Sequence, residues 1–289
     1  MIALPGSERH AHALAAQLGA AVVVPELRQF PDGEVYVRIG APIDADVAIV
    51  GNLVGDNFLK VAFLAGTARD MGAQRIGVVA PYLAYMRQDA QFKPGEGMTA
   101  KYFARLVSEA VDWLVTVDPH LHRLSSLAAI YKIPTTIARA APAIARWIAR
   151  EVRDPVLVGP DAESEQWVAA VAGHCGAPFM ILEKTRRGDR DVSISAPARA
   201  WNGHTPVVID DIVSTGKTMI EATRQLRAAG SAPPVCVAIH AVFADALHDE
   251  LVGAGATGII TCDTITHATN RIAVAESIAQ ALREHIPAG

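Results

Sequence analysis

Short apolar runs alternate along the chain with longer segments in which apolar residues recur at helical spacing. Several runs, such as Trp113–Val117 and Val235–Ala241, are apolar at almost every position. Runs of this length and composition are typical of strands that are covered on both faces, as in parallel sheets. The predicted strands are Ala21–Val24, Val35–Ile39, Val47–Gly51, Arg75–Ala80, Trp113–Val117, Pro155–Val158, Phe179–Leu182, Pro206–Ile209, Val235–Ala241 and Gly258–Thr261.

The segments between these strands have the period of amphipathic helices. The predicted helices are Ser7–Leu18, Asn57–Met71, Met98–Ala110, Ala143–Val152, Glu163–His174, Lys217–Ala229 and Ile272–Arg283. Alternation of strand and helix over the whole length predicts an α/β fold of two doubly wound domains with mainly parallel sheets. We place the boundary near the helix start at Ala140–Pro142. The expected domains are residues 1–140 and residues 141–289.

Composition narrows the function classes. Hydrophobic residues make up 51% of the 289 residues, and the net charge is −4. This composition is globular, and it argues against a nucleic-acid partner, which usually demands a basic excess. No run approaches the ~18 apolar residues of a membrane span, and the start lacks a signal-type segment. The three cysteines are far apart and lack zinc-ligand spacing. We therefore expect a cytoplasmic protein with no membrane partner.

The stretch after Ile209 carries the strongest chemical signal. Asp210 and Asp211 follow an apolar strand, at the edge where α/β sheets bind ligands. The next residues begin a helix, whose backbone N–H groups and dipole favour a phosphate. Paired carboxylates can accept from sugar hydroxyls or hold Mg²⁺ through water. A Walker A loop is excluded, because its first glycine would fall at Asp211. The predicted sugar-phosphate site is Asp210, Asp211, Ser214, Thr215, Gly216, Lys217 and Thr218.

This stretch resembles the phosphoribosyl pyrophosphate-binding loop of type I phosphoribosyltransferases, a signature that transferases and synthetases share. Other segments resemble the phosphoribosyl pyrophosphate synthetases, or ribose-phosphate diphosphokinases, in the same order over nearly the full length. These segments are Arg28–Glu34, Pro81–Asp89, Val117–His120, Gly159–Ala162 and Glu183–Arg187. The resemblance implies transfer of a diphosphate group from ATP to ribose 5-phosphate in a homo-oligomer.

The resemblance also implies roles for individual residues. It implies that ATP binds at Phe30, Asp32, Glu34, Arg87, Gln88, Asp89 and His120. It places Mg²⁺ at His120 and Asp161, and gives Lys184 and Arg186 the stabilisation of the transition state. It further implies that the Phe30–Glu34 loop reaches the adenine site of a neighbouring subunit. His122 matches no motif position, and we predict no role for it.

These roles agree with the chemistry of the side chains. An aromatic face such as that of Phe30 can stack on a purine. The planar guanidinium of Arg87 suits a phosphate. Lys184 and Arg186 belong to a cationic stretch, and phosphoryl transfer needs cations directed at the charge that develops between donor and acceptor.

Two departures from the family pattern point to its compact, archaeal-like branch. Ser214 stands where many bacterial and animal synthetases have Asp, and the segment after His120 is short. Two other functions remain open. A phosphoribosyltransferase that consumes phosphoribosyl pyrophosphate would leave the first half unexplained. A non-catalytic regulatory homologue would not need Lys184 and Arg186.

Overall fold

A computed structural model of the chain describes residues 1–182, 185–187, 191–193 and 203–286, with backbone alone for 185–187 and 191–193. The chain divides into two compact units. The first unit is Met1–Arg139 together with the C-terminal segment that begins at Ala275, and the second is Ala140–Val274.

A five-stranded parallel sheet in the order β1-β4-β5-β6-β7 forms the centre of the first unit. Its strands are β1 (Ile2–Ala3), β4 (Asp46–Val50), β5 (Arg75–Ala80), β6 (Trp113–Val117) and β7 (Thr135–Ala138). Its helices within the first 139 residues are α1 (Glu8–Leu18), α2 (Asn57–Asp70) and α3 (Thr99–Ala110). Every residue of β6 is buried, as expected for a strand covered on both faces.

A separate antiparallel hairpin also belongs to the first unit. It pairs β2 (Glu26–Gln29) with β3 (Val35–Arg38). The sequence predicted a strand at Val35–Ile39 but did not predict its antiparallel partner. The predicted strand at Ala21–Val24 is reduced to a single bridge between Val23 and Ile2.

The second unit is built on a six-stranded parallel sheet in the order β15-β14-β13-β12-β8-β9. Its strands are β8 (Pro155–Gly159), β9 (Phe179–Ile181), β12 (Thr205–Val213), β13 (Val235–Ala241), β14 (Gly258–Cys262) and β15 (Asn270–Ile272). Its helices are α4 (Ala141–Glu151), α5 (Glu165–Cys175), α6 (Lys217–Ala228) and α7 (Ala246–Gly253). A two-stranded hairpin, β10 (Thr185–Arg187) and β11 (Asp191–Ser193), lies outside this sheet.

The last helix, α8 (Ala275–Leu282), corrects the predicted extent of the second domain. The sequence analysis assigned residues 141–289 to one domain, but α8 packs on α1, β6 and β7 of the first unit. Beyond the helix, the His285 ring stacks on Trp113 with 4.7 Å between centroids. The hydroxyl of Thr136 donates to Glu284 Oε2 at 3.0 Å. An amphipathic period alone cannot indicate which of two sheets a helix will cover.

The predicted fold class is confirmed, since both main sheets are parallel. Among the residues that the structure describes, no helix has the length and hydropathy to cross a bilayer.

Candidate active site

The acidic pair lies in the middle of the second unit's sheet. Strand β12 continues to Val213, so Asp210 and Asp211 are strand residues and do not follow the strand as predicted. Pairing of β12 with β8 ends at Val208, whereas pairing with β13 continues past Asp210. The part of β12 beyond Val208 carries two local hydrogen bonds. Asp211 N donates to Asp210 Oδ1 at 3.0 Å, and Ile212 N donates to Asp211 Oδ1 at 2.7 Å.

Three carboxylates crowd this edge of the sheet. The pKa of Asp210 is raised to about 8, mainly by burial and then by the negative charges of Asp211 and Asp161. Two of these carboxylates belong to β12, and the third follows β8, the neighbouring strand. Carboxylate oxygens are the ligands that Mg²⁺ prefers, so this donor set fits a divalent cation.

The predicted phosphate loop leads from β12 into α6. Gly216 is the residue before the helix, with a φ of 67°, and glycine has no side chain that could cap the first turn. A Cβ atom at this position would lie 2.0 Å from Leu247 Cδ1, so only glycine fits. The first N–H groups of an α-helix have no acceptor within the helix and favour an anion, and the phosphate site at Ser214, Thr215, Gly216, Lys217 and Thr218 stays a prediction.

Asp161 has a structural role beside the predicted metal contact. Its Oδ1 accepts from the backbone N–H groups of Glu163 at 3.1 Å and Ser164 at 3.3 Å, which caps the short turn that precedes α5. The same residue lines a cavity of ≈ 540 Å³ together with Lys217 and Thr218. The second unit thus combines the acidic residues and the phosphate loop on one edge of its sheet.

In the first unit, Phe30 lies at the tip of the β2–β3 hairpin. Its ring meets Tyr36 edge-on with 6.1 Å between centroids, and the Arg28 guanidinium lies 4.9 Å from the Phe30 centroid and 4.1 Å from that of Tyr36. The turn is closed by Asp32 Oδ1, which accepts from Glu34 N at 3.1 Å. Phe30 is nevertheless 39% exposed, so part of its face is open to a planar ligand.

Three residues in the segment after β5 were predicted to contact ATP, and their burial and hydrogen bonds differ. Arg87 is exposed, as a phosphate-binding cation must be. Gln88 Oε1 accepts from Thr99 Oγ1 at 3.1 Å, and its carbonyl accepts from Ala100 N, so Gln88 supports the start of α3. Asp89 is buried, and its carboxylate accepts from the Arg123 backbone N–H at 3.2 Å and from its guanidinium at 3.1 Å. These contacts give Asp89 a positioning role.

His120 lies in the loop after β6, which begins at a strained residue. Asp118 has a φ of 28° and is buried, and its Oδ1 accepts from Arg139 Nη1 at 2.9 Å. The rings of His120 and His122 stack with 3.7 Å between centroids. The loop that carries the predicted metal ligand is thus shaped by an ion pair at its first residue.

The side chains of the two predicted catalytic cations are not among those that the structure describes. Lys184 lies outside the described residues, and Arg186 is described only as a backbone position of β10.

Several residues that shape the site were missed by sequence reasoning. Arg123 and Arg139 pair with carboxylates 34 and 21 positions away, and Leu247 fills the space that a side chain at Gly216 would need. The one available signal was Arg123, since an arginine three residues from a predicted ligand is a candidate for an ion pair.

Comparison with known families supports the assignment of both units. Residues 1–110 match the profile described as the N-terminal domain of ribose phosphate pyrophosphokinase. Residues 128–278 match the phosphoribosyl transferase domain.

Individual relatives are similar over almost the whole length. The chain is 33% identical to a ribose-phosphate pyrophosphokinase of Methanopyrus kandleri over 98% of both chains. It is 34% identical to one of Methanosarcina acetivorans, over 96% of this chain and 97% of the relative. A crystal structure of phosphoribosylpyrophosphate synthetase from Mycobacterium smegmatis shares the fold, with a TM-score of 0.83, 24% identity and coverage of 98% of this chain and 97% of that one. The chain therefore belongs to the ribose-phosphate pyrophosphokinase family.

Proposed function

We propose that this chain is a ribose-phosphate diphosphokinase that moves the β,γ-diphosphoryl group of ATP onto the 1-hydroxyl of ribose 5-phosphate. One observation carries the proposal. The second unit has two aspartates at the end of β12 and a helix preceded by Gly216, and the first unit of the same chain matches the pyrophosphokinase N-terminal domain. A phosphoribosyltransferase would account for the second unit alone.

Ribose 5-phosphate would bind to the second unit. Its phosphate would accept from the N–H groups between Ser214 and Thr218, and the Lys217 side chain adds a positive charge nearby. The ribose hydroxyls would donate to Asp210 and Asp211, whose oxygens lie at the edge of the sheet. This arrangement would hold the sugar at both ends and fix the direction of its 1-hydroxyl.

ATP would bind to the first unit. Phe30 would stack on the adenine, with Asp32 and Glu34 supplying polar contacts from the same turn. Arg87 is the exposed cation suited to the phosphates, and Gln88 borders it. Asp89 would act through Arg123, by holding the loop that carries His120.

The family's reaction is of a class that needs a metal ion, and we propose Mg²⁺ as that ion. Asp161 and His120 are the ligands that the sequence resemblance implies, and Asp210 and Asp211 are oxygen donors close to Asp161. When bound, Mg²⁺ would neutralise phosphate charge.

The proposed chemistry is a single displacement. The 1-hydroxyl oxygen forms a bond to the β-phosphorus of ATP, and the bond from that phosphorus to the oxygen bridging to the α-phosphorus breaks. AMP leaves with the electron pair, and the hydroxyl proton is lost to solvent. No protein nucleophile is required, so alignment and cations would supply the rate. Lys184 and Arg186 would stabilise the charge that develops on the transferred group.

An assay with ATP, ribose 5-phosphate and Mg²⁺ tests the proposal. We expect AMP and phosphoribosyl pyrophosphate in equal amounts, and no AMP when ribose 5-phosphate is omitted. Lys184→Ala should lower kcat by roughly 10³-fold, as removal of a transition-state cation does elsewhere. Folded protein that forms no AMP would refute the proposal.

We also propose a homo-oligomer and a cytoplasmic location. The exposed face of Phe30 supports a hairpin tip that serves a neighbouring subunit. All three cysteines are free, which suits a reducing compartment. A monomer with full activity in light scattering and assay would contradict the oligomer.

A further inference from the structure

A second histidine accompanies the one that the family resemblance assigns to metal binding. The rings of His120 and His122 stack with 3.7 Å between centroids and an angle of 29° between their planes. A nitrogen of one ring lies within 4.8 Å of a nitrogen of the other. Two metal–imidazole bonds of about 2.0–2.1 Å each span at most about 4.2 Å, so nitrogens this close can share one ion once the rings rotate out of the stack and direct their in-plane lone pairs at it.

The loop that presents the two rings is fixed at both ends. At its start, the buried carboxylate of Asp118 pairs with Arg139 at 2.9 Å. At its end, Arg123 pairs with the buried carboxylate of Asp89 at 3.1 Å, and its guanidinium lies 4.9 Å from the Phe92 ring centroid. Both histidines lie between these two ion pairs. The backbone that carries both ligands is therefore held in place before any ion arrives, and binding requires only rotation of the two side chains.

We propose that His120 and His122 form a two-imidazole site for a divalent transition metal such as Co²⁺, Ni²⁺ or Zn²⁺. Imidazole suits these ions, whereas Mg²⁺ prefers oxygen. The proposal adds His122 to the metal site of the proposed function, on which it rests for its place in the reaction. The pair would make the site accept metals that a single histidine among oxygens binds weakly.

Direct metal titration of the untagged full-length chain tests the proposal. Co²⁺ binding is followed by visible absorption and by calorimetry, with no nucleotide or sugar present. The variants are His122→Ala, His122→Asn in case the alanine variant does not fold, and His12→Ala as the control. His12 is an exposed histidine on α1 of the same unit, and the chain has 10 histidines, so the control reports background binding.

We expect the wild type and His12→Ala to bind one Co²⁺ ion with the same affinity. Either substitution at His122 should weaken Co²⁺ binding at least ~10-fold. Removing a residue that only hydrogen-bonds to a metal ligand already costs about that factor in metal affinity, and a ligand itself should cost no less. Binding of Mg²⁺ by the same variants should not change. Releasing the loop with Arg123→Met should also weaken Co²⁺ binding, by a smaller factor.

Equal Co²⁺ affinity in the wild type and in a folded His122 variant would overturn the inference. An enzyme that forms AMP but shows this equality would leave the proposed function intact. A chain that forms no AMP but loses Co²⁺ affinity on substitution of His122 would refute the function and retain the metal pair.

Discussion

The strand ends of β6 and β12 both place carboxylates at the edge of a parallel sheet, but their electrostatics differ. After β6, the buried carboxylate of Asp118 is paired with Arg139, and Asp89 nearby is paired with Arg123. On β12, burial and then the charges of Asp211 and Asp161 raise the pKa of Asp210 to about 8. At the β6 end the protein pairs its carboxylates with arginine, whereas at the β12 end three carboxyl groups lie close together.

This difference separates positioning from binding. A buried carboxylate that already pairs with arginine holds a loop in place and gains little from a further cation. A carboxylate that is repelled by neighbouring carboxylates is stabilised in its ionised form when a cation or a hydroxyl donor binds to it. We therefore attribute loop geometry to Asp118 and Asp89, and ligand binding to Asp210 and Asp211.

The largest expected effect is the dependence of stability on pH through Asp210. Its pKa is near 3.8 when unfolded and about 8 when folded, so the folded chain holds an extra proton between these values. The contribution of Asp210 to the free energy of unfolding is therefore complete below about pH 4. It is lost as the pH rises towards 8, by up to about 1.4 kcal/mol per pH unit. Asp210→Asn should remove this slope.

Urea unfolding of both proteins without divalent cations, at about pH 4 and about pH 7, measures the slope. The variant should match the wild type at the lower pH and exceed it at the higher pH. Added Mg²⁺ should stabilise the wild type more at the higher pH. Parallel curves for the two proteins would show that Asp210 does not carry the proton.

The next effect concerns binding at the same strand end. Asp211→Asn keeps an oxygen for the Ile212 N–H group but loses the charge. A hydrogen bond to a charged group contributes about 1.5–3 kcal/mol, so kcat/KM for ribose 5-phosphate should fall by roughly 10–100-fold. Steady-state kinetics with ATP held saturating measures this loss. An unchanged kcat/KM would remove Asp211 from the sugar site.

Much of the fold could be predicted from the sequence. Strands Arg75–Ala80, Trp113–Val117 and Val235–Ala241 have the bounds that were predicted, because short, largely apolar runs rich in β-branched residues favour buried strands. Strands β1 and β15 were missed, since two or three residues give no periodic signal. Helix α7 was missed as well, and its eight residues are the ones that bring Leu247 to the phosphate loop.

Less of the candidate site could be predicted, because its contacts join residues far apart in the chain. The acidic pair and the phosphate loop are local in sequence, so they could be identified. The ion pairs Asp118–Arg139 and Asp89–Arg123 span 21 and 34 positions. Nothing in an isolated arginine shows that its partner carboxylate is buried. His122 received no role because it matches no motif position, and its stacking on His120 depends on the turn between them.

The smallest expected effect tests whether the ion pair between Asp118 and Arg139 stabilises the fold at the end of β6. Arg139 and Arg38 are equally exposed, at 63% each, but their partners differ: the Asp118 side chain is 3% exposed and that of Glu26 is 50%. Arg139→Met should lower the free energy of unfolding by about 1–3 kcal/mol, because it leaves a buried carboxylate without its cation.

The matched control, Arg38→Met, should change the free energy of unfolding by no more than about 0.5 kcal/mol, as exposed ion pairs contribute little. The two substitutions remove the same group at the same exposure, so any difference reports the burial of the carboxylate. Denaturant unfolding at a single pH is sufficient. Equal effects would mean that Asp118 reaches solvent when Arg139 is removed, and the β6 end would then resemble the β12 end in its need for an external cation.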